Sequence, residues 1–252
     1  MREKILQEIE RIEKTEHVKI LYAVESGSRA WGFESKDSDY DVRFIYMRKK
    51  EDYLSIMEKR DVLEYPINDL LDFSGWDLKK ALLLMTKSNP SLYEWIASPI
   101  VYKEDNEFIS EFREVAKTHF CKKKSMHHYL NMAKQNFLSH FKDDTVKIKR
   151  YFYVLRPILA CKWIEERGEH PPIQFEKLRT IISSKIINKE IEKLLDRKIN
   201  GNEYNLEERN SMLDSWIKDK IEYYSEYLLT MEESKNRGVE ELNKFFREWI
   251  ER

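Results

Sequence analysis

Leu21 to Tyr46 reads LYAVESGSRAWGFESKDSDYDVRFIY, and this stretch decides the fold. An apolar run ends at Gly27-Ser28, a polar loop follows, and a second apolar run opens as Asp39-Tyr40-Asp41-Val42. Side chains two apart on a strand share a face. Asp39 and Asp41 therefore project side by side, while Tyr40 and Val42 face the other way. Two carboxylates held that close repel unless a cation sits between them. A hard divalent ion such as Mg²⁺ takes carboxylate oxygens together with the phosphates of a substrate. Glycine lets the backbone come close to a phosphate, and free N–H groups at a helix start attract anions. A Gly-Ser pair alone is a common turn, and Asp-x-Asp in a loop rich in Ser, Lys and Asp is ordinarily solvated turn chemistry. The ordered combination is far more specific: strand, Gly27-Ser28, ten residues, then Asp-x-Asp opening a second strand.

Outward from this stretch, Met1 to His17 reads as an amphipathic helix, with Ile5, Leu6, Ile9 and Ile12 at helical spacing. Val18 to Glu25 is the first strand, Ser26 to Gly32 a phosphate loop with a short helix start, Phe33 to Ser38 a turn, and Asp39 to Met47 the second strand. Lys49 to Met57 is an excursion. Asp61 to Phe73 is extended or a hairpin, with Pro66 arguing for an edge or turn. Leu78 to Lys87 is a helix; Asn89-Pro90 ends it and starts another, from Ser91 to Ala97. Trp95 reads as core rather than a base-stacking platform. Pro99 to Tyr102 is a short strand or a connector. From Asn106 the pattern is helical almost to the end: 106–119, 122–142, 145–166, 174–183, 189–198, 206–233 and 239–251.

The predicted fold class is α+β. A small mixed sheet with helices occupies 1–104 and an all-α C-terminal domain occupies 105–252, with the boundary near Tyr102–Asp105 and the active site expected in the cleft between them.

The 252 residues are 41% hydrophobic and 36% charged, enough for a sizeable core under a well-solvated surface. No stretch approaches the roughly 20 apolar residues that span a bilayer. The N-terminus is charged throughout and lacks the apolar centre of a secretion signal. Cys121 and Cys161 have no metal-type or redox spacing, which suits a reducing cytoplasm and argues against a structural zinc. Net charge is −1, but its distribution is uneven. Lys117 to Arg167 carries nine lysines and three arginines against four acidic residues, a net +8 that leaves −9 elsewhere. His119, His127, His128 and His140 lie in the same block. This is either a localised anion-binding face or a lysine-rich solvated helix surface.

The ordered motif resembles the signature of the DNA polymerase β-like nucleotidyltransferase superfamily. The wider string GSRAWGFESKDSDYDVRFIY resembles one family within it, the YcgL-like, RNA-repair-associated (RlaP) predicted nucleotidyltransferases. Gly75-Trp76-Asp77-Leu78-Lys79-Lys80-Ala81-Leu82, Lys87-Ser88-Asn89-Pro90 and Lys149 to Pro157 (KRYFYVLRP) are further matches. The resemblance implies a fold and a reaction class rather than a substrate. It implies a third acidic residue on a strand beside Asp39 and Asp41. Leu71 and Phe73 would share the core face, which leaves Asp72 pointing the opposite way and makes it the choice. Asp77 is a rival whose bland role is helix-start stabilisation, because Ser74-x-x-Asp77 resembles a capping box. Asp69 is a weaker rival.

On the helix after Thr145, Ile148, Phe152, Leu155 and Leu159 form an apolar face. Lys149, Tyr153 and Arg156 align on an adjacent one, and Pro157 would kink the helix beside Arg156. The spacing alone fits surface cations on a core helix; the resemblance makes them nucleotide contacts.

The expected function is a metal-dependent transfer of an NMP from an NTP such as ATP to an acceptor hydroxyl. Asp39, Asp41 and Asp72 would be catalytic and would hold two Mg²⁺ ions, with Mn²⁺ as a substitute. Gly27 and Ser28 would cradle phosphates, and Arg29, Lys149 and Arg156 would neutralise charge. The family's association with RNA repair suggests an RNA end as acceptor. Alternatives are transfer to a protein or small molecule, and a non-catalytic nucleotide- or RNA-binding module.

Overall fold

Val42, Phe44 and Tyr46 alternate with Arg43, Ile45 and Met47, and that period of two gives a sheet with both faces covered. The computed structural model describes residues 1–35, 38–65, 70–201, 206–232 and 238–252. Its first elements are α1 (Arg2–Glu16), β1 (Lys19–Glu25), α2 (Gly27–Trp31), β2 (Tyr40–Met47), α3 (Lys50–Tyr53), β3 (Val62–Glu64), β4 (Leu71–Asp77), α4 (Leu78–Thr86), α5 (Pro90–Ile96), β5 (Val101–Glu104) and α6 (Asn106–His119). The strands form one five-stranded sheet in the order β3-β4-β2-β1-β5. β2 and β4 run parallel; the other neighbours are antiparallel. The fold is mixed α and β with a helical C-terminal region, as expected from sequence.

The two faces bury different partners. Val42, Phe44 and Tyr46 meet Ile5, Ile9 and Ile12 of α1, and burying each isoleucine is worth roughly 2 kcal/mol. On the opposite face Ile45 and Met47 join Leu78, Leu82 and Met85 of α4, Trp95 of α5, and Phe108 and Phe112 of α6. The register of β1 against β2 shifts between Ile20 and Tyr22, so Leu21 and Tyr22 both fall in the second core. Trp95 is core, stacked on Trp76 with ring centroids 3.7 Å apart. Gly75 lies opposite Phe44 in the β2–β4 register, and a Cβ there would come within 2.1 Å of the Phe44 ring. A residue poor in strand propensity thus stands mid-strand because the ring fills its place.

The chain divides into two compact units: Met1–Ala30, Asp39–Phe120 and Lys235–Arg252 form the first, and Trp31–Ser38 with Cys121–Ser234 the second. The second contains α7 (Lys122–His140), β6 (Thr145–Lys147), α8 (Ile148–Arg167), α9 (Phe175–Arg179), α10 (Lys185–Asn200), β7 (Leu206–Glu208) and α11 (Ser211–Thr230). The last element, α12 (Glu240–Ile250), returns to the first unit, where Leu242, Phe245 and Trp249 join the core of α4 and α6.

Four details differ from the sequence reading. The expected division after residue 104 falls at Phe120, because Phe108 and Phe112 are fully buried in the sheet's own core. The second strand begins at Tyr40 rather than Asp39. Thr145–Lys147 and Leu206–Glu208, read into helices, pair as an antiparallel ribbon within the helical region. The segment read as a plain turn after Gly32 is built into the second unit. Phe33 packs against Phe152 and Phe175 there, and the Lys198 ammonium donates to Ser35 Oγ at 3.0 Å, both side chains buried.

Candidate active site

Gly27 adopts φ +58°, a left-handed conformation that favours glycine. A Cβ at this position would lie 2.0 Å from Asp41 Oδ2, so the missing side chain makes room for the Asp41 carboxylate. The strand end is tied to the loop by its backbone. Ser26 N donates to Asp41 O at 2.8 Å, and Asp41 N donates to Glu25 Oε1 at 2.7 Å. Glu25 is fully buried and also accepts from the Tyr102 hydroxyl. Burial pushes its carboxyl above the usual range, opposed by the hydrogen bonds from Tyr102 and Asp41. Glu25 was not singled out from sequence; it holds the backbone of the residue that Gly27 accommodates.

Asp72 stands directly opposite Asp41 in the parallel β2–β4 register. Phe73 is buried and Leu71 packs beside it in the α1 core, so Asp72 faces the other way, on the side of Asp41. Arg43, two residues beyond Asp41 on the same face, lies between the two carboxylates. Its Nη2 donates to Asp41 Oδ1 at 2.9 Å and to Asp72 Oδ2 at 2.7 Å; its Nη1 donates to Asp72 O at 3.1 Å and Val42 O at 3.2 Å. All three side chains keep some exposure, 18% for Arg43, 29% for Asp41 and 27% for Asp72, so the cluster is reachable from solvent.

Asp39 is exposed just before β2. Its carbonyl accepts from Arg29 Nε at 3.1 Å, and the Arg29 guanidinium lies 3.7 Å from the Tyr40 ring centroid. Arg29 therefore braces the strand entrance. Ser28 lies in the first turn of α2, half-buried.

Asp77 takes the bland role of the two open to it. It caps α4, accepting from Lys79 N at 2.8 Å and from the Tyr53 hydroxyl at 2.9 Å, and it is buried. Burial raises its carboxyl above the ordinary range, opposed by those bonds. Asp69 lies outside the described residues. Asp77→Asn keeps an acceptor for Lys79 N but puts an amide nitrogen where the Tyr53 hydroxyl donates, so it is expected to lower stability by roughly 1 kcal/mol and to leave NTP turnover intact. Asp72→Asn is expected to do the reverse. Thermal unfolding beside a turnover assay separates the two, and an inactive Asp77→Asn with an active Asp72→Asn would overturn the assignment.

Lys149 and Arg156 lie in α8, in the second unit. Lys149 is half-exposed. Arg156 is 7% exposed, its guanidinium 3.9 Å from the Trp31 ring centroid and its Nη2 donating to Ile173 O at 3.4 Å. Pro157 lies inside a continuous helical span.

Among the described residues, no three His, Cys, Asp or Glu side chains converge to hold a metal ion. The donors on the β2–β4 face are nevertheless of the type a hard divalent cation takes, two carboxylates on adjacent strands. The fit is that of a pair spanned by a guanidinium rather than of a preformed cage. No helix among the described residues is long and apolar enough to cross a membrane.

A Gly-Ser loop feeding an Asp-bearing strand, with a further carboxylate on the next parallel strand, places the chain in a class: it is a nucleotidyltransferase-like protein of the polymerase β kind. More narrowly, it belongs to the RNA repair pathway DNA polymerase beta family, RlaP, whose pattern matches residues 1–248. An uncharacterized protein, YcgL, of Bacillus subtilis (strain 168) is 47% identical over 252 residues, which cover 100% of this chain and 97% of that one. A solved nucleotidyltransferase-like protein from Exiguobacterium sibiricum 255-15 is 14% identical with a TM-score of 0.32, covering 90% of this chain and 75% of its own.

Proposed function

We propose that the protein transfers a nucleoside monophosphate from an NTP to an acceptor hydroxyl, releasing pyrophosphate. The observation that carries this reading is the placement of the Asp41 and Asp72 carboxylates on neighbouring strands, with Asp41 against the backbone of Gly27. In the reaction a bond forms between the acceptor oxygen and the α-phosphorus. The bond from that phosphorus to the pyrophosphate oxygen breaks, and the hydroxyl proton leaves to a carboxylate or water. Asp39 and Asp41 would hold Mg²⁺ or Mn²⁺ with the nucleotide, and Asp72 would hold the catalytic ion with them and help to deprotonate the acceptor hydroxyl. A bound divalent ion would supply charge neutralisation at the phosphates and a lowered barrier to deprotonation. Gly27 and Ser28 would receive phosphate oxygens on backbone N–H groups, and Arg29 would add positive charge. The family's description favours an RNA end as acceptor.

The test is incubation with each α-labelled NTP, Mg²⁺ or Mn²⁺, and cellular RNA or protein fractions. Label transferred to RNA with stoichiometric pyrophosphate is the expected result. Label on protein or on a small molecule would redirect the acceptor, and metal-dependent NTP binding without pyrophosphate would leave a binding module instead.

Lys149 and Arg156 enter the proposal as triphosphate contacts on the strength of the family resemblance. Arg156 can make a bidentate phosphate contact and Lys149 only a point contact. Arg156→Lys is then expected to weaken NTP binding although charge is kept. Lys149→Ala should raise the apparent KM in a salt-dependent way. A general RNA face predicts unchanged NTP affinity and a reduced salt slope for RNA. If NTP affinity is unchanged in both variants, the two residues leave the active site.

A further inference from the structure

We propose that Arg43 is a built-in cation that holds the Asp41–Asp72 pair closed in the absence of nucleotide, so that metal loads efficiently only together with the NTP; this rests on the reading of Asp41 and Asp72 as metal ligands. Two partly buried carboxylates on adjacent strands repel each other, and something positive must lie between them. Arg43 Nη2 does so, at 2.9 Å from Asp41 Oδ1 and 2.7 Å from Asp72 Oδ2. That single nitrogen occupies the space between the two carboxylates, where a divalent ion held by both residues would also have to sit. Its partner nitrogen, Nη1, is tied to the backbone carbonyls of Asp72 and Val42, which anchors the guanidinium to both strands.

The consequence is a competition. The guanidinium gives up the pair by rotating away. Any ion that bridges Asp41 and Asp72 does so only from the rotated state, and the apparent dissociation constant rises by the inverse of that state's population. A lone ion gains two carboxylates by opening the pair. An ion arriving with a triphosphate also brings phosphate ligands, and those phosphates offer the freed guanidinium a new anionic partner. Metal and nucleotide are thereby coupled through one side chain, and by linkage each should tighten the other. Arg43 is a positioning residue in this account, and its effect is read in metal affinity rather than in turnover.

The experiment titrates wild type and Arg43→Met with Mn²⁺ alone, by calorimetry or by the signal of free Mn²⁺, with and without a non-hydrolysable NTP analogue. Arg43→Met is expected to bind Mn²⁺ alone at least 10-fold more tightly than wild type, and to lose most of the enhancement that the analogue gives wild type. Without metal it should unfold at a lower temperature, and Mn²⁺ or a second change, Asp72→Asn, should restore that loss. Arg43→Gln is read in the same way if the methionine variant fails to fold. Equal or weaker Mn²⁺ binding by the variants, in a wild type that does bind Mn²⁺ with the analogue, would overturn the proposal alone. No Mn²⁺ binding by any form, with or without the analogue, would overturn the metal reading of Asp41 and Asp72 and this proposal with it.

Discussion

Asp39→Ala and Asp41→Ala are each expected to lower nucleotidyl transfer by about 10³-fold or more, with the chain still folded, since each removes a charge on which transition-state stabilisation would depend. The two should differ in stability. Asp39 is exposed, and its carbonyl rather than its carboxylate receives the Arg29 bond, so Asp39→Ala should unfold as wild type does. Asp41→Ala removes one of the two carboxylates on Arg43, a pair exposed enough that the loss should stay within about 1 kcal/mol. The Asp41 backbone bond to Glu25 survives either change. Initial rates at saturating Mg²⁺, measured beside thermal unfolding, check both parts. Turnover like wild type in either variant would remove that aspartate from the chemistry.

What could be read in the sequence was what depends on neighbours along the chain. The period of two placed Asp41 opposite in sense to Val42, and the same parity placed Asp72 opposite in sense to Phe73, so both carboxylates share a face. Asp77 was legible as a helix-start stabiliser, but through a capping box with Ser74; the structure makes Asp77 itself the cap of α4, accepting from Lys79 N. Arg43 carried the same signal as Asp41, two residues along one strand, yet the space beside the carboxylates was assigned to metal alone. Parity should have placed the arginine there too.

The unread features depend on residues far apart. Glu25 looks like the last residue of an apolar strand, and its partner Tyr102 lies 77 positions away, so nothing local marks it as a buried brace. β6 and β7 have three residues each, too few to show alternation, and they pair across some 60 positions of helical pattern. Phe33 was read into a turn because Gly32 precedes it and polar residues follow. Its burial against Phe152 and Phe175 is decided by two helices, α8 and α9, more than a hundred residues later. Grouping α12 with the sheet rests likewise on Leu242, Phe245 and Trp249 meeting a core formed by residues long before them.

Gly27→Ala is expected to reduce transfer by on the order of 10²-fold or more, since a shift of about 1 Å at reacting groups costs that much. Two separate penalties act at this residue. Alanine at φ +58° is strained by roughly 1–2 kcal/mol whatever the space around it. Its Cβ would also fall 2.0 Å from Asp41 Oδ2. That oxygen cannot simply swing aside, because the other carboxylate oxygen is bonded to Arg43 and the backbone on both sides is pinned to Glu25 and Ser26. Either the carboxylate rotates and breaks the Arg43 pair, or the loop lifts away from the strand and carries with it the Gly27-Ser28 backbone proposed to receive phosphate. A double-mutant cycle separates strain from collision. In an Asp41→Ala background the clash disappears, so the stability cost of Gly27→Ala should shrink to the backbone strain alone. An equal cost in both backgrounds would mean that the alanine never meets the carboxylate. Full turnover in Gly27→Ala would show that the Gly27–Asp41 contact does not set the position of the reacting groups.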